Sequence, residues 1–158
     1  MMIRKAEEKD VKNILGLLFE VQAIHAEGRP DIFKSGARKY SETDILDIIK
    51  NPLTPVYVAV NDSDLAVGYA FCAIIEQKES SNLHAVKNFY IDDLCICKSL
   101  RGKGIGKELY NYILEKAKSL GCYHLTLNVW HLNASALKFY TKLGMNPLKT
   151  TMEQILIK

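Results

Sequence analysis

The stretch LCICKSLRGKGIGKELYNYI, residues 94–113, joins a β-branched run to a helical one through Gly102, Gly104 and Gly106, with Lys98, Arg101, Lys103 and Lys107 interleaved. Downstream, Leu109, Ile113, Leu114, Ala117 and Leu120 recur at helical spacing up to Gly121, a natural residue for ending a helix. A strand entering a glycine turn and then a helix aims several N–H groups and the positive helix end at one point, which makes an anion site. Glycine lets the anion approach the backbone and permits positive φ. Two familiar nucleotide motifs fail here. A P-loop needs a hydroxyl residue after its lysine, and Glu108 follows Lys107; a GxGxxG fingerprint would end at Lys107 or Leu109, neither of them glycine. A tight turn with solvated lysines and no ligand is the plain alternative.

Outward from this turn, the chain opens with a strand, MIRKA, and Asp10 is placed to cap a helix carrying Val11, Ile14, Leu15, Leu18 and Val21. That helix breaks at Gly28 and Pro30, and residues 31–41 read as loop or short helix before a second helix, SETDILDIIK, with a Ser or Thr cap. VYVAV and AVGYAFCAIIEQ flank NDSD and predict an antiparallel hairpin; a long strand over roughly residues 83–97 then leads into the glycine turn. Beyond Gly121 the pattern gives a strand, YHLTLNVW, a helix begun by Asn133 and ended by Gly144, and a last strand around TMEQILI. The order β-α-α-β-β-β-α-β-α-β predicts an α/β (α+β) architecture, a mixed sheet covered by helices.

At 158 residues the chain suits one domain, residues 1–158, and can bury a core without metal or disulfide staples. Its 48% hydrophobic and 25% charged residues argue against long disordered regions. No run approaches the roughly 18 apolar residues of a membrane span, and MMIRKAEEKD lacks a signal peptide's apolar core, so a cytoplasmic protein without a membrane partner is expected. Cys72, Cys95, Cys97 and Cys122 form no CxxC pair and fit free thiols in a reducing compartment; no metal site is expected. A net charge of +3 permits an anionic ligand without suggesting a nucleic-acid partner.

Arg101-x-x-Gly104-x-Gly106, after YIDDLCIC and before a helix, resembles the acetyl-CoA pyrophosphate loop of the GNAT superfamily of N-acetyltransferases. NASALKFYTKLGM, residues 133–145, resembles a second segment of the same superfamily, and the element order also matches. The resemblance implies a largely antiparallel sheet of about six to seven strands, flanked by about four helices and splayed between strands 4 and 5. It implies acetyl-CoA as cofactor and CoA as product. Carried over, Leu94 and Ile96 would pair with the pantetheine arm, and the N–H groups of Arg101, Gly102, Lys103, Gly104, Ile105 and Gly106 would hold the pyrophosphate. Arg101, Lys103 and Lys107 can add charge, although Lys103 and Lys107 read equally well as solvated. The Ile96 N–H would face the developing oxyanion.

In relatives an asparagine at the position of Asn133 contacts the pantetheine; a helix cap is the reading from sequence alone, and the two are compatible. Tyr140 reads from spacing as a core aromatic, whereas the resemblance places its hydroxyl beside the cofactor sulfur, able to protonate the departing thiolate. Asp92 and Asp93, adjacent on the fourth strand, should face opposite sides of the sheet, so that one looks into the site. YIDDLCI resembles polyamine acetyltransferases, which favours Asp92 as base over Asp93; attraction of a cationic substrate is the alternative. Asn128 stands where ribosomal-protein alanine acetyltransferases carry a glutamate, which lowers a protein N-terminal reading. His25, Arg29 and Asp31, in a segment breaking at Gly28 and Pro30, read as a substrate-binding lid or as a solvated helix end.

The reading is therefore an acetyl-CoA-dependent N-acetyltransferase acting by direct transfer on a primary amine of a small, polyamine-like or amino compound. Protein N-termini or lysines are the second substrate class, and a non-catalytic acetyl-CoA-binding module is the reading of another class. The terminal strand suits an internal edge or pairing across a homodimer equally.

Overall fold

The β-branched and aromatic runs on either side of residues 61–65 pair as a hairpin. β2 (Val56–Val60) and β3 (Ala66–Gln77) are antiparallel, and the Asn61 side chain accepts the N–H groups of Ser63 and Leu65, each at 3.0 Å, to hold the turn. In this computed structural model, which describes residues 1–157, five strands lie in the order β1-β2-β3-β4-β5. β1 (Met2–Lys5) and β4 (Val86–Ile96) are antiparallel to their neighbours β2 and β3, and β5 (His124–Leu127) runs parallel to β4. The parallel pair requires a crossover, supplied by α3 (Ile105–Ser119).

The sheet has five strands among the described residues rather than six or seven. Residues 151–157 form no strand, and Ile155, Leu156 and Ile157 are 66–87% exposed. β-branched composition favours a strand only where an edge offers ladder partners. β5 is also shorter than its apolar run, ending at Leu127.

The chain divides into two compact units, Met1–Asn128 and Val129–Lys158. In the first, one sheet face presents Val56, Val58, Val60, Tyr69, Phe71 and Cys95 to Ile14 and Leu18 of α1 (Val11–Gly28) and Ile45 of α2 (Glu42–Lys50), all buried. Each such aliphatic side chain contributes about 1.5–3 kcal/mol by leaving water. α3 crosses the sheet from the other side with Leu109 and Ile113 fully buried, and Tyr57 meets Tyr112 edge-on at 5.4 Å. α2 starts as its sequence predicts, the Ser41 hydroxyl accepting the Asp44 N–H at 3.1 Å. α1 does not: Asp10 precedes it, but its carboxylate takes both terminal nitrogens of Arg4, at 2.7 and 2.9 Å, and the Glu7 N–H at 2.8 Å. Asp10 is 1% exposed, and a buried carboxylate is better compensated by a forked guanidinium than by one helix amide. In the second unit, α4 (Ala134–Lys142) is capped by Asn133, whose Oδ1 accepts the Ala136 N–H at 3.1 Å.

Gly68 sits opposite Ile96 across β3 and β4, and a Cβ there would meet the Ile96 side chain and lie 3.0 Å from the Cys95 carbonyl oxygen. The Ile96 methyl can swing aside; the carbonyl belongs to the ladder. Gly68→Ala should therefore destabilise the chain by about 1–2 kcal/mol, against the small gain that alanine usually brings to a strand. Urea unfolding with an unchanged slope and a lower midpoint is the expected result.

Candidate active site

β4 carries one residue more than its partner. Phe71 pairs with Asp93 and Cys72 with Ile91, which leaves Asp92 unpaired in a β-bulge. The bulge breaks the alternation that would have sent the two carboxylates to opposite faces. Instead both meet one aromatic group. The Tyr40 hydroxyl donates to Asp92 Oδ2 at 2.5 Å, and the Tyr69 hydroxyl donates to Asp93 Oδ2 at 3.1 Å. The Tyr40 and Tyr69 rings pack on Phe71 at centroid separations of 5.0 and 5.2 Å. The Lys39 ammonium completes the cluster, 2.8 Å from Asp92 Oδ2.

Burial pushes the Asp93 carboxyl up to about 6, and the negative charge of Asp92 adds to the rise; Lys39 and the Tyr69 hydrogen bond oppose it. Burial also raises both phenols above the usual tyrosine value, helped at Tyr40 by its bond to Asp92 and at Tyr69 by the charge of Asp93. At neutral pH both tyrosines are therefore donors, and a carboxyl poised near 6 stands beside a second carboxyl that holds a cation. A pocket of about 250 Å³ opens against Asp92, walled by Tyr40, Ile48, Phe71 and Tyr90. A larger concavity of about 510 Å³ near Arg4 and Asp64 is lined by an ion-pair network, with Lys9 on Asp64 at 2.5 Å. That concavity is lined mainly by charged and polar groups, whereas the pocket at Asp92 has aromatic and aliphatic walls.

The bulge coincides with the point where the sheet opens. β4 pairs with β5 only over Asn88–Ile91, so Asp92–Ile96 keep β3 on one side and no strand on the other. The Cys97 N–H donates to Val67 across the ladder at 2.8 Å, and N–H directions alternate along a strand. The N–H groups of Ile96 and Leu94 consequently point to the unpaired edge. Arg101 folds back to that edge, Nε donating to the Ile96 carbonyl at 2.9 Å, with Glu20 at 3.9 Å from its guanidinium. Arg101 is thus a brace of the loop through its side chain.

Between this edge and α3, Gly102 and Gly104 adopt φ of +79° and +87°, and a Cβ at either would meet nothing within 4 Å. Gly104 caps α3 without a side chain, and Glu108 is the first residue whose N–H reaches back to its carbonyl, at 3.1 Å. The amides of Ile105, Gly106 and Lys107 thus begin the helix ahead of its first intrahelical bond, while Lys103 and Lys107 are exposed. Left-handed glycines, open space above them and a helix start fit a diphosphate, and the unpaired β4 edge fits an amide-bearing arm.

Of the remaining expected residues, His25 stacks on Phe33 at 4.9 Å, and burial and the nearby Lys39 charge lower its pKa. Arg29 and Asp31 answer each other, Nε to Oδ1 at 2.9 Å and NH2 to Oδ2 at 2.8 Å, at the end of α1. Asn133 and Tyr140 lie in the second unit, both half-buried, Tyr140 against Phe139 with ring centroids 5.0 Å apart. Lys39, Tyr40 and Tyr69 carry no functional signal in the sequence. Tyr69 reads as a strand aromatic, and Lys39-Tyr40 stand in an aperiodic segment, so only the packing of that segment marks them. Among the described residues, no group of three or more His, Cys, Asp or Glu is arranged to hold a metal ion, and no helix is long and apolar enough to cross a membrane.

Residues 19–145 match the family model described as "Acetyltransferase (GNAT) family". The chain is 26% identical to the thialysine N-epsilon-acetyltransferase of Bos taurus over 94% of this chain and 85% of that protein. It is 28% identical to a peptidyl-lysine N-acetyltransferase of Salmonella typhimurium over 90% of this chain and 81% of that one. Among solved structures, a mutant of the BH1408 protein from Bacillus halodurans superposes with a TM-score of 0.96 at 28% identity, over 99% of this chain and 100% of the other. The matched span takes in the bulged β4, the glycine loop and α4, and the chain belongs to the GNAT family of acetyl-CoA-dependent N-acetyltransferases.

Proposed function

We propose that the chain acetylates the primary amine at the end of a flexible alkyl chain in a small molecule, its two units acting as one catalytic domain. The observation that carries this reading is the bulged Asp92, next to Asp93 in the chain, which lines a pocket of about 250 Å³ with apolar and aromatic walls. An alkylammonium satisfies both features: the walls take its methylenes and Asp92 takes its charge. The volume suits a slender amine better than a polycyclic one. The bovine relative is named for acetylation at an ε-nitrogen, which is an amine of this kind. The relative from Salmonella typhimurium is named for peptidyl-lysine, and this favours a lysine side chain of a protein as the second reading.

When bound, acetyl-CoA supplies an activated acetyl thioester. The chain's residues then have separable tasks. Gly102 to Gly106 bind the diphosphate through their amides, with the positive end of α3 beneath. The outward N–H groups of Leu94 and Ile96 hold the arm in strand-like fashion, and the Ile96 amide donates to the oxygen on which negative charge grows. Asp92 holds the amine. Asp93, poised near 6 by burial, accepts its proton at neutral pH more readily than an ordinary carboxylate. Tyr140 donates a proton to the departing sulfur, and Asn133 combines its cap with a contact to the arm. His25, Arg29 and Asp31 shape the outer wall at the end of α1. The four free cysteines suit a reducing cytoplasm.

Calorimetry with acetyl-CoA, followed by thiol release with a panel of diamines, lysine analogues and lysine peptides, tests the reading. Acetyl-CoA binding with amine-dependent thiol release is expected, and release greatest with slender alkylamines. Asp92→Asn should lower kcat/KM for the amine by about 10–100-fold, mainly through KM, while leaving acetyl-CoA affinity intact. Tyr140→Phe should lower kcat by at least about tenfold. Binding without release from any amine would favour a sensing module.

Asp93 makes a second prediction, with a definite sign. Its carboxyl keeps a proton up to about 6 in the folded chain, against about 3.9 when unfolded. Between those values the folded state binds more protons, so stability falls as pH rises through the window. Asp93→Asn keeps an acceptor for Tyr69 and removes that fall. It should gain about 2 kcal/mol at pH 7.5 and nothing at pH 4 in urea titrations. A gain equal at both pH values would count against a buried, titrating Asp93. The acid limb of the kcat/KM profile near pH 6 should disappear in the same variant.

A further inference from the structure

The amine nearest to Asp92 belongs to the chain itself. Lys39 directly precedes Tyr40, and the Tyr40 ring, packed on Phe71 and bonded to Asp92, fixes the backbone at that point. Lys39 is thereby carried over the bulge. Its Nζ lies 2.8 Å from Asp92 Oδ2, 3.4 Å from the Asp92 carbonyl and 5.5 Å from the Tyr40 ring centroid. Its charge reaches Asp93 and His25 as well. A primary amine on a four-carbon stem thus meets the carboxylate at the place where β4 leaves β5, which is where an acceptor amine would stand.

We propose that Lys39 is a self-acetylation site: the enzyme transfers an acetyl group to its own Lys39 Nζ, and so removes the cation that covers Asp92. This rests on the proposed function above, since the same carboxylates and the same thioester are used. The Nζ lone pair forms a bond to the acetyl carbonyl carbon, the carbon–sulfur bond breaks, and CoA leaves as its thiol. The Lys39 ammonium first gives one proton to the carboxylate pair, which frees that lone pair, and the second proton, lost as the amide forms, ends on the departing sulfur. The product is a neutral amide that cannot form an ion pair with Asp92. Unmodified Lys39 competes with cationic substrates for one carboxylate; acetylated Lys39 leaves that carboxylate to them. The chain would therefore be activated by its own cofactor, with acetyl-CoA supply as the signal.

Lys118 provides an internal control. It pairs with Glu115 at 2.7 Å and is 62% exposed, so it shares an ammonium–carboxylate contact but lies on the outer surface of α3. The purified protein is incubated with acetyl-CoA and the acetylation of each lysine is followed by peptide mass spectrometry at several protein concentrations. In the same preparation, thiol release with a diamine is measured. Lys39 should be modified at least about tenfold faster than Lys118, with a first-order rate independent of protein concentration, as expected for reaction within one molecule. Asp92→Asn should slow the mark on Lys39 and not that on Lys118. Lys39→Gln, which mimics the neutral product, should lower KM for the diamine several-fold, whereas Lys39→Arg should not. Diamine turnover with Lys39 modified no faster than Lys118 would overturn self-acetylation alone. Failure to bind acetyl-CoA would overturn the proposed function and this inference together.

Discussion

β4 pairs with β3 from Val86 to Ile96 except at one extra residue, Asp92, and with β5 only over Asn88–Ile91, so the second pairing ends where the extra residue stands. Around that local misfit the rest of the site is arranged. An extra residue bends a strand and increases its twist, so the edge beyond it diverges from β5 and keeps its outward amides unpaired. In an ordinary sheet interior such amides would be a defect, because a buried N–H without a partner costs about as much as a lost hydrogen bond. Here they form a row that an extended, amide-bearing ligand can complete. An extended ligand pairing there would add a short strand to the sheet.

The same misfit explains the electrostatics. Two adjacent carboxylates on a regular strand would be separated by the sheet. The bulge gathers them onto one aromatic surface, where Tyr40 and Tyr69 each donate a hydroxyl hydrogen bond to one carboxylate. Like charges so close resist joint ionisation, and burial adds to the resistance at Asp93. Lys39 offsets part of the charge at Asp92. Exchanging one ammonium for another at this carboxylate would change the net electrostatics little. The hydrophobic support is unremarkable by comparison: Phe71 sits between the two tyrosines, and the α1 and α2 residues behind it hold that face in place.

Much of this was readable from residue order. The strand–glycine–helix unit, the caps at Ser41 and Asn133, and the positive-φ glycines at 102, 104, 121 and 144 follow from local chemistry. A glycine in a required left-handed turn and a hydroxyl before an amphipathic run act within a few residues, and short range is what a sequence displays. Asp10 marks the limit of such reasoning. Its position suits a helix cap, but Arg4, brought alongside by β1, offers two charge-assisted bonds and takes the carboxylate away.

Residue order alone thus accounts for the helices, the hairpin, the glycine loop and the presence of two acidic residues on the fourth strand. Each of these is fixed by periodicity or by backbone preference. Only the tertiary structure decided that the two acids share one side, because a bulge is a property of the pairing between β3 and β4 and leaves no mark on either strand alone. It also decided that Lys39 and Tyr40, in a segment with no periodicity, stand over Asp92, and that residues 151–157 form no strand despite their β-branched composition. Contacts between positions more than fifty residues apart depend on which surfaces bury each other, and that is settled only when the chain has folded.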